Sequence, residues 1–393
     1  MADWKKYTLE EVCERIYSGG TPSTKHEEYW NGNIKWLSSG ETYQRFVYDT
    51  DRKITQKGIE NSSTKLATKG CTVIATAGQG YTRGQASFLM TDTYMNQSVI
   101  ACKANEDIIL PLYLYYNLDS RYEEFRLLSD GTSTRGGLSG WILKRMEIKV
   151  PPISLQEKIV DVLYSIDKKI EENNAINNNL EEQAKAIFSN EFLTLETLPD
   201  GWNQASLIDI ADYLNGLAMQ KYRPTADETG IPVLKIKELR QTCCDDNSEL
   251  CSPNIKSEYI IQDGDVIFSW SGSLLVDFWC GGICGLNQHL FKVTSNKYNK
   301  WFYYAWTKHH LDRFIAVAAD KATTMGHIKR DELAKAKVLI PNEADYQRIG
   351  ALLQPIYDLI ISNRIENKKL SSLRDTLLPK LISGELDVSN IDL

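Results

Sequence analysis

A chain of 393 residues exceeds one typical hydrophobic core, so two modules with accessory helices are expected. Its 42% hydrophobic and 25% charged residues describe an ordinary globular protein and leave out the disordered, collagenous and disulfide-scaffold classes. A formal net charge of −7 argues mildly against nucleic acid as a partner, but net charge averages over faces, so any phosphate-binding surface must be basic locally.

In chain order, Met-Ala-Asp-Trp-Lys-Lys lacks the apolar stretch of a signal peptide. No later run approaches the roughly 18 apolar residues of a membrane span, so a cytoplasmic protein without membrane contact is expected. Trp4, Leu9, Val12 and Ile16 then space like a short amphipathic helix leading through Gly19-Gly20 into a polar loop. Gly70-Cys-Thr-Val-Ile-Ala-Thr-Ala-Gly78 is an apolar β-prone run bounded by glycines, the pattern of a central strand. Asn96-Gln97 follows, then an aromatic helical stretch from Leu110 to Phe125. Pro151-Pro152 resets the chain before a long helix.

That helix carries a heptad seam: Ile159, Leu163, Ile166, Ile170, Asn173, Asn177, Leu180, Ala184, Ile187. The whole series then returns. Trp202, Leu207, Ile210 and Leu214 lie 198 residues after the first set, Gly264-Asp-Val-Ile-Phe-Ser-Trp-Ser-Gly272 lies 194 after the glycine-bounded strand, and Asn287-Gln288 lies 191 after Asn96-Gln97. The seam recurs 190 residues on, after Pro341, as Ile349, Leu353, Ile356, Ile360, Asn363, Asn367, Leu370, Arg374, Leu377. Four matches in one order establish an internal duplication.

The expected fold is therefore α+β: two related modules alternating with two long helices that pack as an antiparallel coiled coil, giving a pseudo-twofold internal repeat. The boundaries are 1–150, first module; 151–195, first long helix; 196–341, second module; 342–384, second long helix; and 385–393, a tail. The first helix must carry the chain away and the second must bring it back, so Asn173 and Asn177 should meet Asn363 and Asn367. Ile166, Ile170, Ile356 and Ile360 should flank them. A buried asparagine is unfavourable unless paired, and its best-attested use is to fix register and partner in a coiled coil.

Eight cysteines without a secretory signal are expected to be reduced. Cys243, Cys244 and Cys251 upstream of Cys280 and Cys284 raise zinc as an alternative, but no pair has tight Cys-x-x-Cys spacing, so no metal is expected.

At this point the sequence resembles the specificity subunits of type I restriction-modification systems, over essentially its whole length. The phrases that carry the likeness are Ser18-Gly-Gly-Thr-Pro-Ser23 with Tyr29-Trp30, Asn96-Gln97-Ser98, Pro151-Pro-Ile-Ser-Leu-Gln156-Glu-Lys-Ile159 and Leu373-Arg-Asp-Thr-Leu-Leu-Pro379-Lys-Leu-Ile-Ser-Gly384. Gly230-Ile-Pro-Val-Leu-Lys235 and the 264–272 strand add to it. The resemblance implies that each module is a target recognition domain reading one half of a split site in double-stranded DNA. It implies modification (methyltransferase) subunits as partners, two of them, bringing S-adenosylmethionine and the adenine chemistry, and a separate ATP-driven restriction subunit. This chain itself would carry no cofactor and no catalytic residue.

Base readout needs short polar side chains on loops, and phosphates need Lys or Arg. Candidates in the first module are Thr21, Ser23 and Lys25; Gln79, Tyr81, Thr82 and Arg83; and Ser133, Thr134 and Arg135. In the second they are Gln220, Lys221 and Tyr222; Ser269, Ser271 and Ser273; and Thr323, Thr324, His327 and Lys329. Any one such loop is more often a solvated turn. The Asn96-Gln97 and Asn287-Gln288 amides suit adenine but more often cap backbone at a strand start, the role favoured for them.

One rival reading is a self-contained adenine DNA methyltransferase. It is opposed by the lack of an Asn-Pro-Pro-Phe-type or Asp-Pro-Pro-Tyr-type tetrapeptide and of a strand-to-helix Gly-x-Gly loop. Another is a coiled-coil protein scaffold without DNA specificity, which salt-dependent, sequence-discriminating binding would separate from a reader.

Overall fold

Thr72 to Ala75 are all buried, so the strand they form has no solvent face. Such a run needs an apolar layer on each side. Ile74 packs with Tyr113, Phe125, Leu143 and Ile159, and Val73 packs on the opposite side with Leu37, Val47, Leu89 and Met95. The computed structural model, which describes residues 4–78, 81–130, 137–320 and 328–389, makes this the middle strand of five. Their order is Cys13–Ser18, Val99–Ala104, Thr72–Ala75, Ala86–Leu89, Phe46–Val47, antiparallel except for the last pair. A four-stranded sheet runs Arg52–Ile54, Trp30–Leu37, Thr93–Met95, Lys65–Ala67, and a two-stranded sheet joins Lys5–Thr8 to Glu147–Val150.

The second module repeats the scheme. Asp212–Asn215, Leu290–Thr294, Val266–Ser269 and Leu275–Phe278 form one antiparallel sheet, and Leu250–Cys251, Ile231–Leu234, Cys284–Leu286 and Ile260–Ile261 form another. Asn203–Ser206 pairs with Lys337–Ile340. Here too the inner strand faces two cores, Ile267 toward Leu234 and Trp279 and Phe268 toward Phe291 and Phe314. The aromatic stretch from Leu110 to Phe125 and its duplicate from Trp301 to Phe314 divide into two helices each, Pro111–Asp119 and Tyr122–Asp130, then Lys300–His309 and Leu311–Asp320.

One expectation is corrected. Trp4 to Ile16 and Trp202 to Leu214 are not amphipathic helices. Lys5–Thr8 and Cys13–Ser18 are strands joined by a turn, and Asn203–Ser206 and Asp212–Asn215 flank a single helical turn, Leu207–Ile210. The helical spacing arises in the connection alone, where Leu9 with Val12 and Leu207 with Ile210 are buried three residues apart. Both connections are closed the same way: the amide of Thr8 donates to Glu11 Oε2 at 2.6 Å and that of Ser206 to Asp209 Oδ2 at 2.8 Å.

The long helices are Ile153–Phe188 and Glu343–Ser383. Each is stapled to its module near its start. Fully buried Gln156 accepts from the Leu110 amide at 2.8 Å and donates to the carbonyls of Ile108 and Pro151. At the same place in the second helix, the Tyr346 hydroxyl accepts from the Asn299 amide at 2.7 Å. The chain divides into two compact units, Met1–Asp167 with Ser372–Leu393, and Lys168–Ser371, so each holds one module and segments of both helices.

Within the second unit the helices pair antiparallel through their asparagines. Asn173 donates to Asn367 Oδ1 at 2.8 Å and to Glu366 Oε2 at 2.7 Å, Asn363 donates to Asn177 Oδ1 at 2.9 Å, and Asn367 donates to Asn174 Oδ1 at 2.9 Å. Asn173, Asn177 and Asn363 are buried, as is Ile360, while Ile170 and Ile356 are half-buried beside them. A one-turn slip would leave these amides without partners in the interior, which penalises every other register. Ile166 is buried on the segment of the first helix that belongs to the first unit.

Candidate nucleic-acid interface

In both modules the ends of the inner strands gather the same set of loops. After Thr72–Ala75, the Thr76 amide and hydroxyl both donate to Ser98 O, at 2.8 and 3.1 Å, and Thr76 O accepts from the Leu138 amide at 2.9 Å. One residue thus ties the end of the inner strand to the Asn96-Gln97-Ser98 turn and to Leu138. The 19–25 loop joins through Gly20, whose amide donates to Met95 O at 3.0 Å. In the second module Trp270 stands where Thr76 does: its carbonyl accepts from the Ile328 amide at 3.0 Å and its indole donates to Asn215 Oδ1 at 3.0 Å. The Leu217 amide donates to Leu286 O at 2.9 Å, as that of Gly20 does to Met95 O, completing the match.

Close backbone approach explains the glycines. A side chain at Gly19 would bring its Cβ within 1.9 Å of Met95 O, and one at Gly216 within 2.2 Å of Asn287 O. Only glycine lets the entering loop lie against the asparagine turn.

Of the sequence candidates, Thr21, Ser23, Lys25 and Tyr81 are exposed, and Thr82 and Arg83 are half-buried in the same cluster. The Tyr81 backbone is pinned by the Tyr122 hydroxyl, 2.9 Å from its carbonyl, with the Tyr81 ring 64% exposed. Lys329 is exposed beside Ile328. Gln220, Lys221 and Tyr222 are exposed on a helical turn whose Met219 plugs a small core with Val233, Cys251 and Ile255. Ser273 is exposed and accepts from Arg240 Nη1 at 3.3 Å. Ser269 and Ser271 are buried, and Ser269 donates to the carbonyls of Ser271 and Ser273, so these two shape the loop from inside. Gln79, Ser133, Thr134, Arg135, Thr323, Thr324 and His327 lie outside the described residues.

Both asparagines of the Asn-Gln pairs cap their own turns, Asn96 Oδ1 accepting from the Ser98 amide at 3.0 Å and Asn287 Oδ1 from the His289 amide at 3.2 Å. Two features escape the sequence reading. The 19–25 loop is held by indole donors, Trp36 Nε1 to Gly20 O and Trp30 Nε1 to Ser23 O, each at 3.2 Å. Trp141, 63% exposed, follows the 131–136 segment with the Arg145 guanidinium 4.3 Å from its ring centre. An aromatic and a basic residue four apart after a glycine-containing stretch are a usable sequence signal for the second.

Among the described residues no three His, Cys, Asp or Glu side chains group as metal ligands. Burial pushes the Cys280 thiol up to about 11 and that of Cys251 above its usual range, whereas the neighbouring Cys284 holds that of Cys244 below it. No described helix is long and apolar enough to cross a membrane.

Comparison with known proteins agrees with this architecture. The family model described as the type I restriction modification DNA specificity domain matches residues 1–182 and again 199–372. The chain is similar to the MjaIX specificity subunit of a type I restriction enzyme from Methanocaldococcus jannaschii, 27% identical over 99% of this chain and 95% of that one. It is 20% identical to the HindI specificity subunit from Haemophilus influenzae, over 98% of this chain and all of that one. Among solved structures, the S subunit of a type I restriction-modification system from M. genitalium superposes with a TM-score of 0.60 at 15% identity, covering 97% of this chain and 96% of that one, which is a likeness of fold.

Proposed function

Because this chain belongs to the type I restriction-modification DNA specificity family, we propose that it is the non-catalytic subunit that reads a bipartite target in double-stranded DNA, one half-site per module. The observation that carries this reading is the duplicated loop cluster: the same backbone bonds, Thr76 to Leu138 and Trp270 to Ile328, gather polar and basic side chains at one end of each central sheet. Rigid strands presenting variable loops are how one scaffold supports many specificities.

In this reading Lys25, Arg83 and Lys329 meet phosphates or guanine, and Thr21, Ser23, Tyr81, Thr82, Gln220, Lys221, Tyr222 and Ser273 supply shorter-range contacts. The cations sit on the loops, so an overall charge of −7 does not oppose binding there. The paired helices and their outer faces dock two modification subunits, which bring S-adenosylmethionine and methylate adenine. A restriction subunit completes the assembly.

The test is a map of methylated adenines in DNA modified by this chain co-expressed with its modification subunit, with that subunit alone as control. A split motif, two short blocks with a fixed gap, is expected only when the chain is present. An active complex without a chain-dependent motif overturns the reading in favour of a scaffold.

A further inference from the structure

The Asn-Gln pairs divide their labour. Asn96 is consumed in its turn, but Gln97, next to it, is exposed at the centre of the first loop cluster. Its amide is anchored at the oxygen: the Thr21 hydroxyl donates to Gln97 Oε1 at 2.5 Å across 76 residues of chain. Thr21 is itself held firmly. Gly20 beside it is bonded on both sides, amide to Met95 O and carbonyl to Trp36 Nε1, and Ser23 O takes the Trp30 indole. Both indoles are buried and meet edge to face at 5.0 Å, and the Arg52 guanidinium covers Trp30 at 3.8 Å.

An exposed amide anchored at its oxygen to a rigid support is placed to read rather than to cap. With one lone pair of Oε1 taken by Thr21, the other lone pair and the two amide hydrogens remain. That is one acceptor beside one donor, the complement of the adenine edge in the major groove, N6–H and N7. We infer that Gln97 reads an adenine in the first half-site, with Thr21 as the positioning residue that orients its amide. This rests on the functional reading above. The duplicate position is set differently: Gln288 is half-buried and its amide nitrogen lies 3.4 Å from His289 Nε2, so the two modules present unlike groups from one scaffold.

The test uses the full chain with its modification subunit and compares adenine methylation maps for wild type, Gln97→Leu, Gln97→Glu, Thr21→Val and Thr21→Ser, with thermal unfolding alongside. Gln97→Leu should relax one adenine of one half-site, losing roughly 5- to 150-fold discrimination there, while the other half-site and the unfolding temperature stay unchanged. Gln97→Glu, which accepts but does not donate, should move the preference at that position toward cytosine. Thr21→Val should relax the same position and Thr21→Ser should restore it. An unchanged motif in the Gln97 variants, relaxation at a position that is not adenine, or loss in both halves together overturns the inference. If the wild type itself yields no split motif, the functional reading fails instead, so the two failures are distinct.

Discussion

Replacing Asp167 with alanine lowers the stability of the first unit by about 3–5 kcal/mol, the range for stripping one partner from a buried ion pair. Asp167 is 2% exposed and is the hub where both long helices meet the first module. Arg374 Nη1 lies 2.8 Å from its Oδ1, the Tyr116 hydroxyl donates to Oδ2 at 2.8 Å, and Arg45 Nε approaches at 3.3 Å while its Nη2 pairs with Asp119 at 3.0 Å. Removing the carboxylate leaves Arg374, itself 9% exposed, without its buried counter-charge, because its other partner, Asp375, is mostly in solvent. Substituting both residues as Asp167→Leu with Arg374→Met removes the stranded Arg374 charge and should recover part of the loss, about 1–3 kcal/mol remaining because the Tyr116 hydroxyl still lacks its acceptor. Chemical denaturation of the three proteins checks this. A loss below about 1 kcal/mol for Asp167→Ala would contradict the account of the hub.

The second unit should carry an acid-sensitive histidine. His310 is buried, its Nε2 donates to Lys337 O at 2.8 Å, and its ring stacks on Trp306 and faces Phe314. Burial pushes its pKa down from 6.5 to about 4, the carbonyl bond and the neighbouring His309 and Arg313 acting as smaller influences. A depressed histidine favours the fold fully above its unfolded value and stops doing so as pH falls from about 6.5 toward 4, because the unfolded chain then binds the proton more readily. The contribution lost by pH 4 has about 3 kcal/mol as its ceiling, reduced by solvent screening of the partly accessible ring. His310→Phe gives up the carbonyl bond, roughly 1 kcal/mol at pH 7, but should flatten the decline between pH 7 and 4 by that larger amount. Parallel pH profiles for wild type and variant would contradict this.

Much of this architecture is legible in the sequence because duplication makes weak signals repeat. A single Asn on a seam is ambiguous, but Asn173 and Asn177 with Asn363 and Asn367 at a constant offset define a register that the hydrogen bonds realise. The inner strands are legible for the same reason, as glycine-bounded apolar runs too short for helices. Four things are not. The spacing of Leu9 and Val12 belongs to a turn between strands, and i, i+3 spacing alone does not separate one helical turn from a helix. Ser269 reads as a loop serine, yet it is the last residue of a strand with its side chain inward. Arg374 stands on the seam where its repeat counterpart is Ala184, but its partner Asp167 is off the seam, and only packing reveals the pair. The indole clamps on the 19–25 loop likewise join residues whose proximity depends on the sheets.

The claim that each module reads its own half-site is tested most directly by exchange. Lys5–Thr8 pairs with Glu147–Val150, so residues 1–150 close on themselves and can be replaced by the matching module of another family member. With the rest of the chain and its modification subunit unchanged, the methylated-adenine map of the exchanged protein should show one block of the split motif replaced and the other retained. A motif altered in both blocks, or in neither, would contradict the account.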